Sequence, residues 1–442
     1  MNIFSSSWLK SGLYSIGSRL SLLVFGFGSF FFLVRSQSQA DFGAWSLFLT
    51  ITTILEMSRN GLVQNALIKL YHSEATNQDK VISASWLINS GFTLLVYGLL
   101  VLLSFFVESL FGMAELKYMF LWYGITLALL VPLTQYNYIQ QAHLSFGGIF
   151  WASFIRQGLL FSFIVSAFAF KQSLNLLDLV RCQIICTAIA AGASYWLAKS
   201  FLSYRFTLDK LVIKQVFRFG KYVMGTNLAS LIFKSADQFS IGYLLNPASV
   251  AIYSSAMRIS NLIEYPVTAI TEVMYPHSAS RISTEGQHVV KSLYEKSVGL
   301  TLAMVLPVVL GVFFFSDWII TIIAGVPYAE AAPILRITIL FGLLTPFNRQ
   351  FGMAMDASGR PRINFYVLLV AACFNIILNI IFVMYNGLPG AAYATLIGYL
   401  IVSVVGHVIL QNLFNVELKN VFIYSFSVYS QIFRKAKSLT YK

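Results

Sequence analysis

Apolar runs of about twenty residues, the length at which a helix crosses hydrocarbon, recur along the whole chain between short polar breaks. In the first half they fall near Gly12–Val34, Gly43–Ile68, Val81–Val107, Tyr118–Ala142, Gly148–Phe170 and Leu176–Ala198. In the second half they fall near Phe219–Leu245, Val250–Tyr275, Leu293–Phe315, Ala331–Met355, Ile363–Tyr385 and Ala391–Gln411. The seventh and eighth carry polar interruptions. The pattern predicts an all-α polytopic membrane protein with about twelve transmembrane helices. The first run follows Lys10 and is too long for a signal-peptide core, so it reads as a retained helix.

Composition sharpens this picture. Of 442 residues, 57% are hydrophobic, 16% aromatic and only 11% charged, against roughly 25% charged in soluble domains. The mean hydropathy of +0.73 makes lipid the solvent for most of the surface. Cys182, Cys186 and Cys373 all lie in apolar stretches, and neither a disulfide nor a metal role is expected of them.

The net charge of +13 is a topology signal rather than a nucleic-acid signal. With the N-terminus in the cytoplasm, the inner segments hold 20 of the 30 basic residues, six of them between Lys199 and Lys221. The outer segments hold 5: Arg35, Lys117, Lys171, Arg181 and Arg336. That asymmetry is the positive-inside pattern, and the surplus charge faces anionic headgroups. Membrane lipids are therefore expected contacts and nucleic acid is not.

The longest basic loop divides the chain. The boundaries read as a six-helix lobe over 1–198, a cytoplasmic basic linker over 199–218, a second six-helix lobe over 219–413, and a basic cytoplasmic tail over 414–442. The tail alternates aromatic and basic residues, and a helix on the leaflet surface is expected there. At an offset of 208 residues the halves align without gaps, Lys10-Ser11-Gly12 on Arg218-Phe219-Gly220, and Leu55-Glu56 on Ile263-Glu264. An even number of helices per half inserts both the same way round, giving a parallel repeat around a central cavity, the plan of an alternating-access transporter.

An ionisable group inside a span costs about 2.5–3.5 kcal/mol or more and marks a candidate site. Here these are Arg19, Glu56, Arg59, Arg156, Lys234, Asp237, Arg258 and Glu264. The bases outnumber the acids five to three, so Arg19, Arg59, Arg156, Lys234 and Arg258 are candidate ligands for an anionic cargo. Glu56, Asp237 and Glu264 read either as sites for a coupling proton or sodium ion or as counter-ions. The spacing of three allows local pairs Glu56–Arg59 and Lys234–Asp237. No cofactor is called for, and the short outer loops leave no room for a catalytic segment, so no enzyme is expected.

Residues 251–258, Ala-Ile-Tyr-Ser-Ser-Ala-Met-Arg, together with Met274-Tyr275-Pro276 and Ser280-Arg281, resemble the polysaccharide-transporter family, the oligosaccharide repeat-unit flippases of the multidrug/oligosaccharidyl-lipid/polysaccharide superfamily. Asp41-Phe42-Gly43-Ala44-Trp45-Ser46, Tyr328–Arg336 and Gly359-Arg360-Pro361 carry the likeness along the chain. The resemblance implies a bacterial inner membrane and cytoplasmic termini. Its cargo would be a polyprenyl-pyrophosphate-linked oligosaccharide, moved to the periplasmic leaflet for O-antigen, capsule or related surface polysaccharide. It also admits other polysaccharide-assembly proteins as partners. The alternatives are an ion-coupled multidrug exporter of the same superfamily, whose usual cationic cargo fits a basic interior poorly, and a membrane-embedded polymerase or ligase.

The basic asymmetry makes a topology prediction. A membrane-impermeant thiol reagent added from outside is expected to label Pro247→Cys and to miss Ser203→Cys; labelling of the second in sealed cells would invert the map.

Overall fold

The computed structural model describes residues 6–71, 77–172, 174–202 and 205–440. Within them the structure is helical throughout. The first half contains α1 (Ser6–Ser36), α2 (Gln39–Tyr71), α3 (Gln78–Ser104), the short α4 (Val107–Phe111), α5 (Ala114–Ala142), α6 (Phe146–Ala169) and α7 (Leu176–Ala198). The second contains α8 (Lys210–Leu244), α9 (Pro247–Ser260), α10 (Glu264–Glu285), α11 (Val289–Phe314), α12 (Ser316–Ile323), α13 (Ala331–Thr338), α14 (Phe341–Ala357), α15 (Pro361–Phe414) and α16 (Leu418–Thr440). Helices dominate because hydrocarbon offers no partner to a backbone N–H or C=O, and a helix satisfies both internally.

Among the described residues, eight helical segments are long and apolar enough to cross a membrane. One of them, Pro361–Phe414, is two passes, since Gly387 breaks it with φ 61° and ψ −143°, a conformation open to glycine. The α2, α8 and α9–α10 segments complete the expected series but fall short in hydropathy. These three carry Glu56, Arg59, Lys234, Asp237, Arg258 and Glu264.

The chain forms two compact units, one of Met1–Leu228 with Asn246–Ala251, the other of Ala229–Leu245 with Ile252–Lys442. Much of the segment read as a linker is ordered. Thr207 N donates to Ser83 Oγ at 3.0 Å and Lys80 Nζ pairs with Asp209 at 2.8 Å, which ties the segment to the start of α3. The Lys80 ammonium holds the Asp209 carboxyl below its ordinary range. Asp209 Oδ1 also accepts from Leu211 N at 2.9 Å, capping α8, so Lys210–Arg218 are helical.

In the first unit a cluster of Leu62, Val63, Ala66, Leu67, Val81, Ile139, Val212 and Val216 joins α2, α3, α5 and the start of α8. Gly220 lets α8 approach the Leu62 carbonyl more closely than any side chain allows, and Gly61 does the same beneath Met224. Small residues at such crossings are how membrane helices pack when lipid supplies no hydrophobic drive. This crossing fixes the half of α2 that bears Arg59.

In the second unit α16 lies along α11 rather than apart from the bundle on the leaflet. The Glu295 carboxylate, 2% exposed, accepts from Glu417 N at 2.9 Å and Asn420 Nδ2 at 3.1 Å. Lys291 pairs with Glu417 at 2.6 Å, and Tyr429 OH donates to Ala303 O at 2.5 Å. The helices therefore run side by side in the same direction for several turns. Arg434, Lys435 and Lys437 of the expected basic tail fall where no side chain is described, and Lys442 lies outside the described residues.

The contact turns on Gly299, where a Cβ would sit 2.7 Å from Tyr424 Cβ and 2.8 Å from the Val421 carbonyl. Gly299→Leu is expected to push α16 off α11 at a cost of about 1–3 kcal/mol. The check is a lower thermal midpoint in detergent with faster tryptic cleavage after Lys419; unchanged cleavage would mean that the two helices part freely.

Candidate functional site

In the first unit the polar residues of α2 choose partners on other helices. Glu56 Oε1 accepts from Tyr123 OH of α5 at 2.5 Å and from Arg156 Nη2 of α6 at 3.3 Å. The local Glu56–Arg59 pair allowed by the spacing does not form a hydrogen bond. Residues three apart diverge by about 60° around a helix, enough for Glu56 to face α5 and α6 while Arg59 turns into the interior. Arg59 is 2% exposed, and its Nε, Nη1 and Nη2 have no hydrogen-bond partner among the described residues. Beside it Tyr138 OH donates to Asn60 Oδ1 at 2.7 Å. Two guanidinium groups thus share one carboxylate, leaving a net positive charge within the lobe.

Exposure separates the two arginines. The Arg156 and Glu56 side chains retain 19% and 22% of their surface, so their pair is reachable from outside the protein interior. Arg59 is sealed and makes no hydrogen bond among the described residues, and a buried guanidinium left without hydrogen bonds costs several kcal/mol even beside the Glu56 carboxylate.

The second unit repeats the theme with different partners. The expected Lys234–Asp237 pair gives way to Lys234 Nζ on Glu264 Oε1 across α8 and α10. Asp237 is turned away from Lys234 and is 1% exposed, accepting from Tyr253 OH of α9 at 2.5 Å and from Gln238 N at 2.7 Å. Thr395 of α15 also reaches the Tyr253 hydroxyl. Asn379 Nδ2 donates to Thr395 Oγ1 at 3.3 Å and to Asn375 Oδ1 at 3.1 Å, while Asn375 Nδ2 donates to Phe233 O at 2.8 Å. Asn379 Oδ1 is buried and without a partner.

The structure thus places Glu56 with Arg156 and Lys234 with Glu264, each within one unit, in place of the Glu56–Arg59 and Lys234–Asp237 pairs that the spacing allowed. Arg19 is exposed on α1 and Arg258 is half-buried on α9. Tyr123, Tyr253, Asn375, Asn379 and Thr395 were not singled out, because an uncharged polar residue scarcely lowers the hydropathy of a span. The signal that does exist is Asn375 and Asn379 one turn apart inside an otherwise apolar run. No group of three His, Cys, Asp or Glu side chains able to hold a metal occurs among the described residues. The Asp237 cluster offers a carboxylate, amide oxygens and hydroxyls, a donor set suited to a hard monovalent cation or a proton.

Removing the Tyr123 hydroxyl strips a buried carboxylate of its shortest hydrogen bond. Tyr123→Phe is expected to cost about 1.5–3 kcal/mol, seen as a lower thermal midpoint; a midpoint within error of the parent would show that Arg156 alone satisfies Glu56.

Residues 32–333 match the family model described as polysaccharide biosynthesis protein. A probable low-salt glycan biosynthesis flippase of Haloferax volcanii is 23% identical over 188 residues, 42% of this chain and 40% of that protein. A teichuronic acid biosynthesis protein of Bacillus subtilis is 25% identical over 243 residues, 52% of this chain and 47% of that protein. The match spans less than half the length of each of these relatives. The fold is shared with the lipid II flippase MurJ in an inward closed conformation, at TM-score 0.75 and 17% identity over 96% of this chain and 92% of that one. It is shared equally with an inward-facing multidrug resistance MATE family transporter of the MOP superfamily, at TM-score 0.76 and 16% identity over 88% and 93%. The chain carries the MOP transporter fold and belongs to the polysaccharide biosynthesis protein family.

Proposed function

We propose that the protein is a flippase that moves polyprenyl-pyrophosphate-linked oligosaccharide repeat units from the cytoplasmic to the outer leaflet of a bacterial inner membrane by alternating access. The product would feed O-antigen, capsule or a related surface polysaccharide. The observation that carries this reading is Arg59, a buried guanidinium whose three nitrogens have no hydrogen-bond partner among the described residues. A structural arginine at that depth is paired. An arginine kept unpaired is suited to a phosphate group, which takes two N–H donors of the planar fork at once.

In this reading Arg156 receives the pyrophosphate at its open edge and Arg59, sealed in this conformation, joins it as the first lobe rearranges, while Arg19 in the first unit and Lys234 and Arg258 in the second supply further positive charge. The excess of bases favours an anionic cargo over the cationic cargo of a multidrug exporter, although the fold is common to both. Asp237, Tyr253, Thr395, Asn375 and Asn379 form the best-equipped place for a coupling proton or sodium ion. The two carboxylates Glu56 and Glu264 are engaged by bases and are weaker candidates for that role. Both termini lie in the cytoplasm in this scheme, with membrane lipids and other assembly proteins around the carrier.

Function and stability should move in opposite directions at Arg59. Arg59→Met removes a buried unpaired charge and keeps an unbranched side chain, so the empty protein is expected to melt at a higher temperature. In proteoliposomes the same variant is expected to transfer lipid-linked oligosaccharide at least roughly tenfold more slowly, the loss of one charge-assisted contact or more. A lower midpoint with undiminished transfer would make Arg59 a structural residue and remove the main support for an anionic cargo.

A further inference from the structure

We propose that Glu56 is a displaceable counter-ion: its carboxylate occupies Arg156 in the empty carrier and yields that guanidinium to the phosphate oxygens of arriving cargo. The inference rests on the anionic-cargo reading and goes beyond it, because it assigns the acid that the cargo replaces.

Three features of the Glu56 environment lead there. The contact with Arg156 is weak in form, a single N–H on one oxygen at 3.3 Å. A stable arginine–carboxylate pair uses the fork, with two bonds of about 2.7–2.9 Å. The contact with Tyr123 is the opposite, short at 2.5 Å and to the same oxygen. The tyrosine thus gives Glu56 its shortest hydrogen bond, and that bond remains if Arg156 turns to another anion. The carboxylate is not stranded by the exchange, which is what makes the exchange affordable in a membrane lobe.

The second feature is the imbalance of charge. Glu56 is the acid beside two arginines, and Arg59, one turn along α2, has no hydrogen-bond partner among the described residues. An anion drawn in by Arg59 arrives next to Arg156, whose pair retains about a fifth of its surface and is open to competition. A ligand with two phosphate groups can take both arginines; a ligand with a single charge has less to offer against the resident carboxylate. Glu56 would thus select for polyanionic headgroups as well as hold the empty site.

The third feature lies in the other unit. Glu264 stands at the repeat position of Glu56, 208 residues on, and it too is bonded to a base on a neighbouring helix, Lys234. The bases come from different helices, so the geometry is not simply duplicated. What recurs is a carboxylate at that position that masks a cation.

Inorganic pyrophosphate is the probe, titrated into the full-length protein in lipid nanodiscs, with affinity and thermal midpoint both recorded. Glu56→Gln keeps the volume and an acceptor for Tyr123 but gives up the charge. It is expected to bind pyrophosphate about tenfold more tightly than the parent, with a larger gain in midpoint on saturation. Glu56→Asp, whose shorter arm retreats from Arg156, is expected to show a smaller change of the same sign, and it serves if the Gln variant fails to fold. Proteoliposomes containing Glu56→Gln are expected to transfer lipid-linked oligosaccharide more slowly, since nothing reclaims Arg156 when cargo should leave. If the parent binds pyrophosphate and both Glu56 variants bind it equally or more weakly, Glu56 is a fixed structural partner and the displacement idea fails alone. If neither the parent nor either variant binds pyrophosphate, the anionic-cargo reading fails and takes this inference with it.

Discussion

An ionised side chain inside hydrocarbon has no water to fall back on, and this constraint organises the polar interior of both units. Each Coulombic contact there acts at a low effective dielectric, so a missing partner is far more costly than at a wet surface. Glu56 draws Tyr123 and Arg156 toward it and so pins α2 against α5 and α6. Lys234 and Glu264 link α8 to α10 in the same manner. Asp237 is accommodated without any base, by a tyrosine hydroxyl and a backbone N–H. Against that rule Arg59 stands out: it shares the field of Glu56 but makes no hydrogen bond among the described residues, a standing cost that the fold tolerates.

The apolar framework makes that tolerance possible. Gly61 and Gly220 bring α2 and α8 into close contact, so the helix bearing Arg59 is gripped along the same stretch where the charge is buried. In the second unit Gly299 and Glu295 do comparable work for α16, one removing bulk and the other accepting the N–H at the start of the helix. Neither contact is strong by itself. Close-packed backbones over several turns supply the rigidity that holds an unfavourable charge in place.

The eight apolar helical segments were legible in the sequence because hydropathy over twenty residues averages out local detail. Helix α1 and the two passes of α15 are visible in that average, whereas the compact units divide after Leu228, inside α8, and not at the basic loop over 199–218. The partners of the buried charges were not legible. Spacing of three suggested Glu56 with Arg59 and Lys234 with Asp237, yet side-chain direction and neighbouring helices decided otherwise: Arg156 lies a hundred residues from Glu56 and Tyr253 sixteen from Asp237. The internal repeat came closer, since it singled out Glu56 and Glu264 together, and both prove to mask a base. Asn375, Asn379 and Thr395 escaped because neutral polar groups leave little mark on composition, although inside a membrane they carry the same obligation to find partners.

The spans hardest to recognise by hydropathy hold six of the eight ionisable groups expected within spans. Helices α2, α8 and the α9–α10 segment fall below the apolar standard of the others because they hold Glu56, Arg59, Lys234, Asp237, Arg258 and Glu264. A helix that only had to anchor the protein would shed those residues, since every one of them raises the cost of insertion. Their retention on a few helices, with α1, α3, α5, α6, α7, α11 and the α13–α14 and α15 segments left apolar enough to span, separates the two tasks within one chain. That separation is incomplete, since Arg156 and Arg19 stand on the apolar helices α6 and α1. Of those charges the carboxylates Glu56 and Glu264 are already committed to bases, while Arg59 is not. The least satisfied group in the described interior is therefore a cation, and an anion is the kind of ligand whose binding would relieve it.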